Sequence, residues 1–190
     1  ARERIDDVER ILGVQVRGDD QNRDLRAGAA QRLQCLDPGH VVHHRVEQAR
    51  VGLAVLAGLL SLHGFLSNWT LLASTPLIIA WLVFALINPW FEESYWRGLL
   101  IDSTVSWGKF ASLLYSSAWF AVSHPLIWGI HSLPLRKPEA VGALFFVGII
   151  WGLAYQRTCS LRWCVAGHML ANIFGLAALV LLNLYDPTVR

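Results

Sequence analysis

The fold of this chain is decided by residues 71–101, which read LLASTPLIIAWLVFALINPWFEESYWRGLLI. Residues 71–87 carry no charge and are nearly all apolar, as in a helix that crosses a bilayer. Two carboxylates, Glu92 and Glu93, and the guanidinium of Arg97 follow at once. Ionisable groups cost several kcal/mol in apolar surroundings unless they are compensated, so their presence here indicates a functional site.

The chain joins two compositions near Arg50. Residues 1–50 contain nine Arg and nine acidic residues, whereas residues 51–190 contain only seven Lys or Arg and five Asp or Glu. Between Val51 and Trp90 no side chain is charged. We interpret residues 1–50 as a polar arm, either soluble and disordered or a non-native extension of the reading frame. Residues 51–190 have the composition of an integral membrane protein.

The apolar segments predict an all-α membrane bundle with about five transmembrane helices and one short motif-bearing helix. The five expected spans are residues 51–66, 71–87, 108–123, 139–155 and 163–185. Because proline cannot continue the helical hydrogen-bond ladder, we expect the second span to end at Asn88-Pro89 and a fresh helix to cover residues 90–101. Residues 125–138 are proline-rich and predict a lip or a re-entrant loop.

Two further motifs place polar groups on apolar segments. Phe120-x-x-x-His124 ends the third span, and His168-x-x-x-Asn172 lies within the fifth. Residues four apart share one face of a helix, so His168 and Asn172 project together. The small residues around His168 allow a neighbouring helix or a substrate backbone to come close.

The first motif gives its two adjacent carboxylates different surroundings. Glu93 and Arg97 are four apart and can neutralise each other on a helix, whereas Glu92 projects from a neighbouring face. One carboxylate is therefore paired and the other is free for a different role. Taken alone, each motif also fits an interfacial salt bridge, an interfacial histidine or a hydrogen bond between packed helices.

Together the motifs supply the parts of a water-activating site. A Glu and a His can deprotonate a water molecule, the Glu as general base and the His as its hydrogen-bond partner. A second His and an Asn amide offer donors suited to the oxyanion of a tetrahedral intermediate. Hydrolysis of a peptide bond by activated water requires this combination and no Ser or Cys nucleophile.

The three motifs resemble those of a known family. FEESYWRG, AWFAVSH and AGHMLANIFG are similar to the motifs of the CPBP intramembrane proteases, which include the type II CAAX prenyl endopeptidases and Abi-like bacteriocin-processing proteins. The resemblance covers residues 71–185 and implies a protease domain over residues 51–190. The chain departs from the family in having only one short span before the first motif, where members usually have more helices.

The resemblance implies a role for each motif residue. The implied catalytic residues are the base, its assistant and two residues on the oxyanion side: Glu92, His124, His168 and Asn172. Glu93 and Arg97 are implied to support the first helix. We expect no cofactor. A zinc-dependent version of the same protease stays open, with Glu92, His124 and His168 as ligands, although no HExxH spacing is present.

The expected partners are the lipid bilayer and a prenylated CAAX protein or a membrane-associated peptide as substrate. The net charge of +2, without a basic run interleaved with aromatics, gives no support for a nucleic-acid partner. The bacterial cell membrane is favoured over the endoplasmic reticulum as the location. A non-catalytic alternative is a membrane immunity factor or scaffold whose polar residues stabilise helix packing.

Overall fold

The computed structural model describes residues 52, 55–59 and 61–188, and these residues form an all-helical fold without a strand. The prediction of an all-α bundle is confirmed for this part of the chain. The polar arm of residues 1–50 lies outside the described residues. Residues 55–59 are helical, and α1 follows at Leu62–Asn68. A short 3-10 turn, Trp69–Leu71, then leads to the first long helix.

The first long helix, α2, runs over Thr75–Glu93 and continues into a π-helical segment, Ser94–Ile101. The predicted break at Asn88-Pro89 and the separate short helix over residues 90–101 are therefore wrong. Pro89 lies inside α2 and is buried, one turn after the buried Ala85. Within a helical bundle, neighbouring elements and local changes of helical geometry compensate the hydrogen bond that proline removes, so the helix continues.

Two more long helices follow. Helix α3 covers Lys109–Leu126, and α4 covers Pro138–Thr158, close to the third and fourth predicted spans. Residues between them form two 3-10 turns, Trp128–Ile130 and Pro134–Arg136. The prediction that this proline-rich connection is not a span is confirmed, while its character as a lip or re-entrant loop stays a prediction.

The last predicted span is two helices rather than one. Helix α5 covers Arg162–Phe174, and α6 covers only Ala177–Leu181. Leu176 between them has a φ of 49°, in the left-handed region that a leucine rarely adopts. Its side chain is completely buried, so packing holds the chain in this conformation. The prediction of one continuous helix over residues 163–185 is therefore wrong.

Two helices of the described residues are long and apolar enough to cross a membrane, namely Thr75–Ile101 and Pro138–Thr158. Only 11% and 22% of their most apolar stretches are buried inside the molecule, unlike a core helix of a soluble protein. On α2, large exposed side chains follow one another every four residues: Ile79, Val83, Ile87 and Phe91. Such an outward stripe suits contact with lipid. The predicted number of five spans stays a prediction.

Glycines allow the helices around the site to approach closely. A Cβ atom at Gly148 of α4 would lie 3.2 Å from Cβ of Ser117 on α3, and one at Gly58 would lie 2.4 Å from the carbonyl oxygen of Gly167 on α5. The second contact confirms that the small residues beside His168 admit a neighbouring helix. The buried core that results between α3, α4 and α5 includes Phe120 and Trp151.

Candidate active site

A cavity of 340 Å³ lies among the helices and is mostly apolar. Of the 22 residues that line it, six are polar. Four of those six are the predicted catalytic residues, which come from α2, α3 and α5: Glu92, His124, His168 and Asn172. The folded chain thus brings together the three motifs, which span about 80 positions of sequence. Their catalytic roles stay predictions.

Glu92 stands in the last turn of α2 and is half-buried. Its Oε1 atom accepts a hydrogen bond from Nδ2 of Asn88 at 2.8 Å, and Asn88 also lines the cavity. Its Oε2 atom is buried and has no hydrogen-bond partner among the described residues. One carboxylate oxygen is therefore held by the protein, and the other remains available for a water or substrate atom.

Glu93 and Arg97 form a buried ion pair. Nη1 of Arg97 lies 3.0 Å from Oε1 of Glu93, and both side chains are completely buried. The predicted contact between these two residues is therefore present. The same Oε1 atom lies 2.8 Å from Nδ1 of His168, which joins the first motif to the third.

Aromatic rings and a carbonyl compensate the buried guanidinium of Arg97 on its other sides. Its Nη2 atom donates to the carbonyl oxygen of Gly148 at 3.4 Å. The guanidinium carbon lies 4.4 Å from the ring centre of Phe120 and 5.5 Å from that of Trp151, within the range of cation–π attraction. A cation in this position needs these contacts together with Glu93, because its hydration is lost.

His124 has one ring nitrogen committed to the backbone. Its Nδ1 atom lies 2.7 Å from the carbonyl oxygen of Phe120, one turn earlier in α3. A carbonyl oxygen can only accept, so we assign the hydrogen to Nδ1. In the neutral ring, Nε2 then carries the lone pair and can accept a proton or a hydrogen bond from water.

His168 is oriented by two partners from other helices. Its Nδ1 atom donates to Glu93, since an ionised carboxylate only accepts. Its ring stacks on Trp151 of α4 with the ring centres 4.7 Å apart and the planes 23° apart. As with His124, the neutral ring presents the lone pair at Nε2. It donates from that nitrogen only when it is protonated.

Asn172, one turn beyond His168 on α5, is nine-tenths buried. Its Nδ2 atom has no hydrogen-bond partner among the described residues. Buried polar atoms are normally satisfied, so this amide and the Oε2 atom of Glu92 indicate two contact points for a water or a substrate atom.

The proposed zinc ligands fit a metal site only in part. His124 and His168 each direct Nδ1 to a carbonyl or carboxylate oxygen, as zinc-bound imidazoles commonly do. However, no three His, Cys, Asp or Glu side chains of residues 52, 55–59 and 61–188 are placed so that they could hold a metal ion together. The set of Glu92, His124 and His168 does not form a metal site in this arrangement.

Sequence reasoning missed three features of the site. The contact of Asn88 with Glu92 could have been predicted, because Asn88 lies four residues before Glu92 at the end of an uncharged run. Trp151 had no motif to mark it among nine Trp residues. The contact of Glu93 with His168 joins residues 75 positions apart, and helical spacing carries no information about such a pair.

A charged contact joins the short segment after α6 to the connection before α4. Pro187 of this segment and Leu135 of the 3-10 turn both line the cavity. Between them, Nζ of Lys137 lies 2.6 Å from Oδ2 of Asp186 and also contacts the hydroxyl of Thr188. The hydrogen bond from Lys137, and next the backbone N–H of Thr188, lower the pKa of Asp186 to about 2. The segment that carries Pro187 is therefore tied by a charged contact to the connection between α3 and α4.

The chain matches the model of a known protein family. The model of the family described as type II CAAX prenyl endopeptidase Rce1-like matches residues 73–174, which is 102 of the 190 residues. The matched range contains all three motifs and the four polar cavity residues discussed above. No curated protein and no solved structure matches the chain.

Proposed function

Because this chain belongs to the Rce1-like family of type II CAAX prenyl endopeptidases, we propose that it hydrolyses a peptide bond at the membrane with water activated by Glu92 and His124. Family membership supports an integral membrane endopeptidase that acts on a protein or peptide. The observation that carries the mechanism is the shared cavity, with a buried Oε2 of Glu92 that has no partner among the described residues.

In the proposed reaction, Oε2 of Glu92 takes one proton from water while Nε2 of His124 accepts a hydrogen bond from the O–H that the water keeps. The water oxygen then bonds to the carbonyl carbon of the substrate, and the carbonyl π electrons move to its oxygen. When this tetrahedral intermediate collapses, the C–N bond breaks and the proton held by Glu92 passes to the leaving nitrogen. The products are a carboxyl group and an amine, and no covalent enzyme intermediate is needed.

The oxyanion side is assigned to Asn172 and His168. The Nδ2 atom of Asn172 is a buried donor that has no protein partner among the described residues, so it suits a developing negative charge. His168 can contribute a donor at Nε2 when it is protonated. Glu93, at 2.8 Å, stabilises such an imidazolium. Glu93 thus supports the oxyanion side as well as pairing with Arg97.

The composition of the cavity supports a lipid-modified or membrane-embedded substrate. Sixteen of its 22 lining residues are apolar or small, including Phe84, Leu144, Val147 and Leu181. A prenyl chain or an apolar transmembrane peptide would bury its surface against them, with the scissile bond at the polar residues. We propose a prenylated CAAX protein as the first substrate to test.

The experiment is cleavage of a farnesylated CAAX peptide by the full chain in proteoliposomes, with release of the C-terminal tripeptide measured. Glu92→Gln is expected to lower kcat by at least about 100-fold, because the amide cannot accept the proton. Glu139→Gln is the matched control, since Glu139 is exposed at the start of α4 and is not part of the cavity lining. Equal activity of Glu92→Gln and the parent would overturn the proposed mechanism.

Two further arms separate the alternatives. Assay after chelator treatment, with and without added zinc, distinguishes the metal-free mechanism from a zinc-dependent one. A peptide without the prenyl group tests whether the lipid contributes to recognition. No cleavage of any peptide by a folded, membrane-inserted parent protein would favour the immunity or scaffold alternative.

A further inference from the structure

Asn88 lies outside the three motifs and directly contacts the proposed base. Its Nδ2 atom is 2.8 Å from Oε1 of Glu92, and both residues line the cavity. It stands one turn before Glu92 on α2, so the helix backbone fixes the separation of the two side chains. An ionised carboxylate accepts only, so the amide group must be the donor.

The effect of this contact follows from the two oxygens of Glu92. Oε1 is occupied by Asn88, whereas Oε2 is buried and has no partner in the described part of the chain. Binding one oxygen restricts rotation of the carboxylate and leaves the second oxygen as the one that faces water or substrate. This restraint assists proton abstraction, because the base is already oriented toward the water.

We propose that Asn88 is a positioning residue that holds Glu92 by Oε1 and directs Oε2 toward the catalytic water. This role rests on the proposed function, in which Glu92 is the base. Asn88 itself contacts no reacting atom in the mechanism. The other titratable residues that line the cavity are His124 from α3 and His168 from α5. The buried pair of Glu93 and Arg97 reaches this group through the contact of Glu93 with His168.

Three variants at position 88 separate the effect of the donated hydrogen bond from that of side-chain size and shape. Asn88→Asp keeps the shape but removes the donor and places a second carboxyl beside Glu92. Asn88→Leu keeps the approximate volume without any polar atom, and Asn88→Gln keeps a donor on a longer side chain. We expect kcat to fall about 10- to 100-fold in the first two, with KM within about twofold, and to be largely retained in Asn88→Gln.

Asn68→Asp is the matched control. Asn68 also donates to an acceptor one turn earlier, the carbonyl oxygen of Gly64 at 2.8 Å, but it is in α1 and is not among the cavity-lining residues. The kcat of Asn68→Asp should equal that of the parent. This test requires that Glu92→Gln lowers the activity of the parent. If it does, and kcat is unchanged in both Asn88→Asp and Asn88→Leu, the positioning role is overturned.

A second measurement is independent of catalysis. Dicyclohexylcarbodiimide modifies carboxyl groups in apolar sites, and mass spectrometry reports labelling at Glu92, with Glu92→Gln as the blank. Without the donor at position 88, Oε1 of Glu92 is no longer occupied and both oxygens can react, so we expect about 3- to 10-fold more labelling of Glu92. Equal labelling of the parent and Asn88→Leu would refute the contact even if the peptide assay showed no activity. If the parent cleaves no peptide but Asn88→Leu is labelled more than the parent, only the proposed function is refuted and the contact stands.

Discussion

Nδ1 of His168 lies 2.8 Å from Oε1 of Glu93, and that same oxygen accepts a hydrogen bond from Nη1 of Arg97 at 3.0 Å. One carboxylate therefore serves two nitrogen groups, one from the π-helical segment and one from α5. The two adjacent glutamates of the first motif consequently have different surroundings. Glu93 is completely buried and bonded, while Glu92 lines the cavity.

Neighbouring isosteric substitutions should separate stability from activity. Glu93→Gln removes the negative charge and leaves the buried guanidinium of Arg97 uncompensated, so we expect the free energy of unfolding to fall by about 3 kcal/mol. Glu92→Gln should change the free energy of unfolding by less than about 1 kcal/mol. It should still lower kcat by at least about 100-fold. Denaturant unfolding in detergent measures the stability of both variants. Equal stability of the two variants would contradict the assigned difference.

Trp151 should control catalysis through the orientation of His168. Trp151→Leu removes the stacked ring, and we expect kcat per folded molecule to fall at least about 10-fold, whereas Trp151→Phe retains an aromatic face and should fall less. The unfolding midpoint is measured alongside, because loss of a buried Trp also costs about 3 kcal/mol. Trp119→Leu is the control, since Trp119 is 47% exposed on α3. A loss of the same size in that variant would argue against a specific role of Trp151.

The contact between Lys137 and Asp186 should make stability depend on pH in the acidic range. The pKa of Asp186 in the folded protein, about 2, is below its ordinary value of 3.8, so folding favours the charged form. The stabilisation is therefore present above about pH 4 and is lost as the pH falls toward 2. The parent should unfold at a higher temperature than Asp186→Asn at neutral pH, and the difference should disappear near pH 2.

High salt should reduce the same difference at neutral pH, because the two side chains are partly exposed. A difference between the parent and Asp186→Asn that persisted unchanged to pH 2 would show that the ionic contact is not its cause.

Two glycine substitutions should have opposite effects. Gly58→Ala would place Cβ 2.4 Å from the carbonyl oxygen of Gly167, and a backbone atom cannot move aside as a side chain can. We expect a loss of about 1–3 kcal/mol. Gly142→Ala on α4 meets nothing within 4 Å and should stabilise by about 0.5–1 kcal/mol, since alanine favours helix. Thermal unfolding of both variants in the same detergent gives the comparison, and a stabilised Gly58→Ala would refute the close contact.

The sequence predicted the members of the cavity better than it predicted the ends of the helices. Spacing of four residues on apolar helices is a local property, so the pairing of Glu93 with Arg97 and the common face of His168 and Asn172 could be read directly. The continuation of α2 through Pro89 could not, because it depends on packing around a buried residue. The left-handed conformation of Leu176 could not be predicted either, because it is maintained by the burial of the side chain.

The hydrogen position on His124 has a consequence for inhibitor chemistry. With Nδ1 of His124 committed as a donor, its neutral ring offers a lone pair at Nε2, and Glu92 adds a second acceptor. A hydrated ketone brings two hydroxyl donors to such a surface, whereas a carboxylate brings none and is repelled by Glu92. We therefore expect a trifluoromethyl ketone peptide to inhibit cleavage more strongly than its carboxylate analogue, and competition assays with the matched pair would reveal the preference.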